Sequence, residues 1–172
     1  MAQRFLSLVS GVRKLVEALT VSAGAADTGK IPATGPDGRL DSSFLPVGIG
    51  ADTTLATASE AIGAGKYVQF YDNAGAFSVR LADNSNGRAA DGFVLDAVAA
   101  SGSATVYPLD AVNTAVTGLT IGARYFLGTA GGVVATALDE TDTANSNKVS
   151  QYLGVAKSAT ELVTTDDGYV VL

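Results

Sequence analysis

The chain has 172 residues, of which 47% are apolar and only 16% charged, with a formal net charge of −6. The acidic balance disfavours phosphate backbones and so argues against a nucleic-acid partner, and without a run of about 18 apolar residues nothing is expected to span a membrane. Cysteine and histidine are both absent, which excludes disulfides, thiolate and imidazole metal sites, and Ser-His-Asp or Cys-His catalysis.

The first patterned stretch, RFLSLVSGVRKLVEAL over 4–19, places Phe5, Leu8, Val12, Leu15 and Leu19 at 3-4-3-4 spacing. That spacing predicts a short amphipathic helix within residues 1–20, widened by Val9 and Val16 and weakened by about 1 kcal/mol at Gly11. A helix this short is marginal in water. It must pack on its own β domain or, as the linker-like segment after it favours, between subunits or on a partner. Arg13, Lys14 and Glu17 interrupt the apolar run, so no signal peptide is expected and the chain is read as one made in the cytoplasm.

Residues 21–60 read as an extended arm. Within GKIPATGPDGRLDSSFLP, turn formers alternate with Ile31, Leu40, Phe44 and Leu45. A passive linker has no need of such side chains, so these four are the candidate anchors of an arm lying in a partner's groove. Gly24 to Ile31 nearly matches the phosphate-cradling G-x-x-x-x-G-K-[ST] loop, but Ile31 stands where the magnesium-binding hydroxyl belongs and Pro32 follows. Pro36-Asp37-Gly38 is a turn, and Asp41-Ser42-Ser43 starts a single helical turn that Pro46 stops. Residues 51–66, with Leu55 and Ile62 as their only large apolar side chains, read as a loop or an edge strand.

From Tyr67 onward, short strands alternate with turn signals. Strands are expected over 67–71, 77–81, 93–99, 104–107, 112–116, 124–127, 133–135, 149–156, 161–164 and 169–172. This predicts a β-sandwich or barrel over 61–172. Acidic side chains are the remaining catalytic or calcium-binding candidates: Asp139, Glu140 and Asp142 in one loop, Asp166 and Asp167 in another. The first loop lacks the closing Glu and central Gly of a calcium loop, and adjacent acids in polar loops read as turn residues. Neither an enzyme nor a cofactor is expected. Strand tyrosines that are exposed would suit stacking on sugars.

The run ADTGKIPATGPDGRLDSSFLPVGIGADT resembles a peptide of tailed-bacteriophage virion proteins. The matching residues are Asp27, Gly29, Lys30, Ile31, Gly38, Leu40, Asp41, Ser43, Pro46, Gly48, Ile49, Gly50, Ala51 and Asp52. The stretch GFVLDAVAASGSATVYPLDAVNTAVTGLTIGARYFLG and the tail VSQYLGVAKSATELVTTDDGYVVL are similar to the β module of phage capsid decoration (cement) and head-fibre proteins. Pro36 departs from the pattern, which more often has an acidic or small residue there. The resemblance implies a structural protein on the outer capsid surface of a virion. It would bind the major capsid protein through its N-terminal region and form a homo-oligomer, a trimer before a dimer. A tail-fibre or baseplate module and a carbohydrate-binding module reading a host-surface glycan are the alternatives.

Overall fold

The computed structural model describes residues 4–9, 11–45 and 52–172. The chain divides into two compact units, Met1–Ala51 and Asp52–Leu172. It is mainly β, and the helical segments among the described residues are 3₁₀ turns of three or four residues.

The first unit begins with an antiparallel hairpin of β1 (Arg4–Val9) and β2 (Val12–Glu17), in the register Phe5↔Val16, Leu6↔Leu15, Leu8↔Arg13. The hairpin replaces the helix expected over residues 4–19. Gly11 sits at φ +78°, a left-handed conformation that glycine adopts without penalty and that tight hairpin connections require. The glycine that the helical reading counted as a weak point is therefore the turn. Two six-residue arms with Val at positions 9, 12 and 16 flank it, and β-branched residues favour strands.

The chain from Leu19 to Phe44 does not run extended. Leu19 N–H donates to the Ile31 carbonyl (2.9 Å) and Ala33 N–H donates back to Leu19 (2.6 Å), a parallel bridge between Leu19 and Pro32. Farther along, Ser22 N–H donates to Ser43 Oγ at 2.8 Å. The physical cause is the polar content of the segment. Its Ser, Asp and Gly residues satisfy backbone groups locally, so the chain folds on itself. Gly35 to Gly38 form the expected turn, closed by the Gly38 N–H on the Gly35 carbonyl (3.0 Å). The expected helical turn is the 3₁₀ segment Ser42–Phe44, with Ser43 N–H on Asp41 Oδ1 at 2.9 Å; Pro46, expected to stop it, lies outside the described residues.

The second unit holds two sheets. One runs β6-β4-β5-β3-β7, from β3 (Thr54–Ala58), β4 (Tyr67–Asn73), β5 (Ala76–Leu81), β6 (Gly92–Phe93) and β7 (Ser103–Val106). Phe93 and Tyr107 exchange N–H···O bonds of 3.0 and 2.8 Å beyond the ends of this order, so the outer strands β6 and β7 meet and the sheet closes on itself. Closure explains β3, in residues expected to form a loop or an edge strand within the arm. It lies between β5 and β7, parallel to β5. Its inward residues are Ala56 and Ala58, which with Ile62, Val68, Val79, Val94, Ala104 and Val106 make one core. The interior of so small a ring has room for little more than alanine and valine.

The other sheet runs β10-β9-β11-β12-β8, with β13 added to β11. Its strands are β8 (Val112–Asn113), β9 (Arg124–Leu127), β10 (Val133–Val134), β11 (Val149–Ala156), β12 (Leu162–Thr164) and β13 (Tyr169–Val171). It packs on the outside of the closed sheet through a second core of Tyr67, Phe93, Tyr125, Leu127, Leu153 and Leu162, among others. Alternation along single strands divides the two cores: Tyr67 and Phe93 face the second sheet, while Val68 and Val94 face the ring interior. Of the strand expected over 93–99, only Phe93 is in a regular strand. Beyond it the chain leaves the ladder and returns once, at the Val98–Ile62 bridge.

Candidate functional site

The candidate anchors lie in the first unit, and its packing is thin. Its one buried hydrophobic residue among those described is Ala33, whereas Leu6, Leu8, Val12, Leu15, Val21, Ile31, Leu40 and Leu45 are all exposed. The second unit also exposes large apolar side chains, Leu55, Phe77 and Ile121 among them, but it encloses two cores as well. Eight exposed large apolar side chains against one buried alanine leave the first unit without a hydrophobic core of its own among the described residues.

The connector gives the anchors a defined frame. Asp27 Oδ1 pairs with Lys30 Nζ at 2.7 Å, and Asp27 Oδ2 accepts the Ala23 N–H. The Lys30 hydrogen bond, then that of Ala23, hold the Asp27 carboxyl below the usual carboxylate range. The ammonium that a phosphate loop would aim at a nucleotide is thus engaged by the loop's own carboxylate. On the other arm of the loop, Ser43 holds the Asp41 carboxyl low in the same way. Ile31, Leu40 and Leu45 are each more than two-fifths exposed on this frame, and Phe44 is half-buried. Leu40 lines a groove of about 290 Å³ with Thr20, Val21, Pro36 and Arg39 among its walls.

The hairpin sorts the residues first grouped on a helical stripe onto two faces. One carries Phe5, Ser7, Val12, Lys14 and Val16; the other carries Arg4, Leu6, Leu8, Arg13, Leu15 and Glu17. Phe5 and Val16, a cross-strand pair, are half-covered, and Leu19 is half-buried in its bridge to Pro32. Leu8 and Leu15 share the second face with Leu6, which the helical spacing missed. The signal for it was present as alternation in RFLSLV, where Leu6 and Leu8 lie two apart.

In the loop holding Asp139 and Asp142, the acidic side chains serve their own turns. Asp139 Oδ1 accepts Thr141 N–H (2.9 Å) and Oγ1 (2.7 Å), and Asp142 Oδ1 accepts Ala144 N–H (2.9 Å). The Thr141 hydroxyl and N–H hold the Asp139 carboxyl below its ordinary range, the opposite of what a general acid requires. Among the described residues no group of three or more acidic side chains is placed to hold a metal ion, and no helix is long and apolar enough to cross a membrane.

No protein-family model matches the chain, and no curated protein matches it. Among solved structures it is similar to the head fiber gp8.5 N base of bacteriophage phi29, with a TM-score of 0.44 and 17% sequence identity, over 66% of this chain and 92% of that one.

Proposed function

We propose that this is a non-enzymatic structural protein of a tailed-phage virion that decorates and cements the outer capsid surface, with the N-terminal unit as its attachment element. The observation that carries the reading is the contrast between the units: among the described residues the first buries a single hydrophobic side chain, Ala33, under eight exposed large apolar ones, while the second, which also has exposed apolar residues, encloses two cores. The phage-protein resemblance of the connector falls on the same residues, Ile31 and Leu40 among them. On this reading Ile31, Leu40, Phe44 and Leu45 seat against the major capsid protein. Each large side chain so buried contributes about 1.5–3 kcal/mol. The connector is already hydrogen-bonded to itself, which lowers the ordering cost of about 1–2 kcal/mol per residue that a disordered arm would meet. Several attachment elements on one homo-oligomer, a trimer before a dimer, add avidity.

The test is co-sedimentation of purified protein with capsids that lack it. Wild-type protein is expected to bind, and Ile31→Asp with Leu40→Asp to lose binding while the β body stays folded. Undiminished binding by that double variant refutes the attachment surface. Electron microscopy of decorated particles separates the capsid from a tail-fibre or baseplate location.

A further inference from the structure

We infer that the leucine face of the β1–β2 hairpin is the seam between copies of this chain, so that the N-terminal unit acquires its core only on self-association. The inference deepens the oligomer part of the proposed function and rests on it, and it selects the dimer over the trimer, because a self-complementary face-to-face contact pairs copies about a two-fold axis. Cross-strand register sets three rows on this face: Arg4 with Glu17 at the base, Leu6 with Leu15 in the middle, Leu8 with Arg13 near the turn. Leu6, Leu8 and Leu15 are 73%, 70% and 60% exposed. Together they leave on the order of 400 Å² open, within the size range of the largest apolar patch on a typical soluble monomer. A lone two-stranded hairpin is at best marginally stable in water, and this one has nothing over one face.

Two observations select a second copy as the occupant. First, the face is self-complementary. Laid face to face with the strands reversed, the middle leucine rows meet, Arg13 of each copy comes over Glu17 of the other, and Leu8 lies along the aliphatic stem of Arg4. The Arg4–Glu17 pair is loose, at 3.8 Å and exposed, which leaves Glu17 free to exchange partners. Second, charge does not oppose the meeting of these units. Residues 1–51 carry five basic and four acidic side chains, against six and thirteen in residues 52–172. The other hairpin face has Phe5 and Val16 half-covered, with Val12 exposed beside the turn.

The chain has no cysteine, so a single Leu6→Cys substitution reports on the seam without disturbing native thiols. With a short bifunctional thiol reagent, the full-length Leu6→Cys protein is expected to give covalent dimers on a denaturing gel. Thr105→Cys on the body, also exposed, is expected to give none. Light scattering should show wild-type protein as an oligomer at micromolar concentration and Leu6→Asp/Leu15→Asp as a monomer whose body keeps its tyrosine fluorescence. A monomeric wild type, or a double variant of unchanged mass together with no Leu6→Cys cross-link, overturns the inference. Capsid co-sedimentation separates the two readings: an oligomer that ignores capsids sinks the proposed function alone, and a monomer that binds them sinks the seam alone.

Discussion

Gln151 offers the sharpest test of the body's architecture. It lies on β11 with 2% exposure, and its amide grips the backbone of Ala90, itself 3% exposed, in the segment between β5 and β6. Ala90 N–H donates to Gln151 Oε1 at 2.7 Å, and Gln151 Nε2 donates to the Ala90 carbonyl at 2.8 Å. One side chain thus stands in for a neighbouring strand and ties the closed sheet to the second sheet. Gln151→Leu keeps the volume but strands a buried N–H and a buried C=O, each costing about 1–3 kcal/mol, so a loss of about 2–5 kcal/mol is expected. Against a typical total of about 5–15 kcal/mol that is a large fraction, and it corresponds to a fall in Tm of roughly 4–20 °C. Gln151→Glu adds a signature that packing cannot imitate. Its carboxylate accepts from Ala90 N–H but repels the carbonyl, so the folded state raises its pKa. The variant should be weakest at neutral pH and recover as pH falls and the group protonates into a donor. Urea unfolding followed by tyrosine fluorescence and circular dichroism measures both, the chain having no Trp. A Gln151→Leu protein within about 0.5 kcal/mol of wild type would refute the idea that this amide bridges the sheets.

The Tyr67 hydroxyl is fully buried and has no hydrogen-bond partner; neighbouring Asn113 is committed to the Gly65 carbonyl (3.0 Å) and the Ala115 N–H (3.1 Å). Tyr67→Phe should therefore be neutral or stabilising by up to about 1–2 kcal/mol in urea unfolding. Burial pushes the Tyr67 phenol up, so its contribution holds below the unfolded pKa of about 10 and is lost as pH rises above it; the variant should flatten that alkaline slope in a pH series of melts. Asp83 ties two loops by accepting from Ser85 N–H (2.9 Å), Ser85 Oγ (2.6 Å) and Ala130 N–H (3.0 Å). Burial works to raise its pKa, but the Ser85 hydroxyl, the two N–H groups and Arg88 outweigh it and hold the carboxyl low. Asp83→Asn should cost about 1–2 kcal/mol at neutral pH, and the gap to wild type should close as pH falls through the lowered pKa. Gly154 sits at φ +151° where the β11–β9 register shifts, and a Cβ there would overlap the Val163 carbonyl. Gly154→Ala should cost about 3 kcal/mol or more in the same assay.

The body was legible because its strands obey a period of two and its turns use standard chemistry. Val149–Ala156 is a strand with the bounds read from the sequence, and Asp72 to Gly75 turn β4 into β5. What was not legible came from distant partners. Ala56 and Ala58 look too small to define a strand until the closed sheet makes small the required size. The hairpin at the N-terminus satisfied two periods at once, 3-4 spacing from Phe5 to Leu19 and alternation within RFLSLV. Gly11 decided between them, and its φ is not written in the helical pattern. Of the anchors named for the arm, Ile31, Leu40 and Leu45 are exposed and Phe44 is half-buried. Their frame is a looped-back chain, because the Ser, Asp and Gly residues between them bond to nearby backbone.

If the seam is apolar and the bodies are acidic, salt should act on the two in the same direction. Thirteen acidic against six basic side chains in residues 52–172 repel like bodies brought near one another. Near physiological ionic strength that repulsion reaches about 8 Å, and at 1 M salt about 3 Å. The leucine contact, by contrast, does not weaken with screening, and sulfate strengthens it. The Arg13–Glu17 contacts across the seam weaken, but exposed pairs contribute only about 0–1 kcal/mol. The oligomer should therefore dissociate less as salt rises, tightest in sulfate, when measured by sedimentation velocity over a dilution series. Dissociation that increases steadily with sodium chloride would mean that ion pairs, not Leu6, Leu8 and Leu15, hold the copies together.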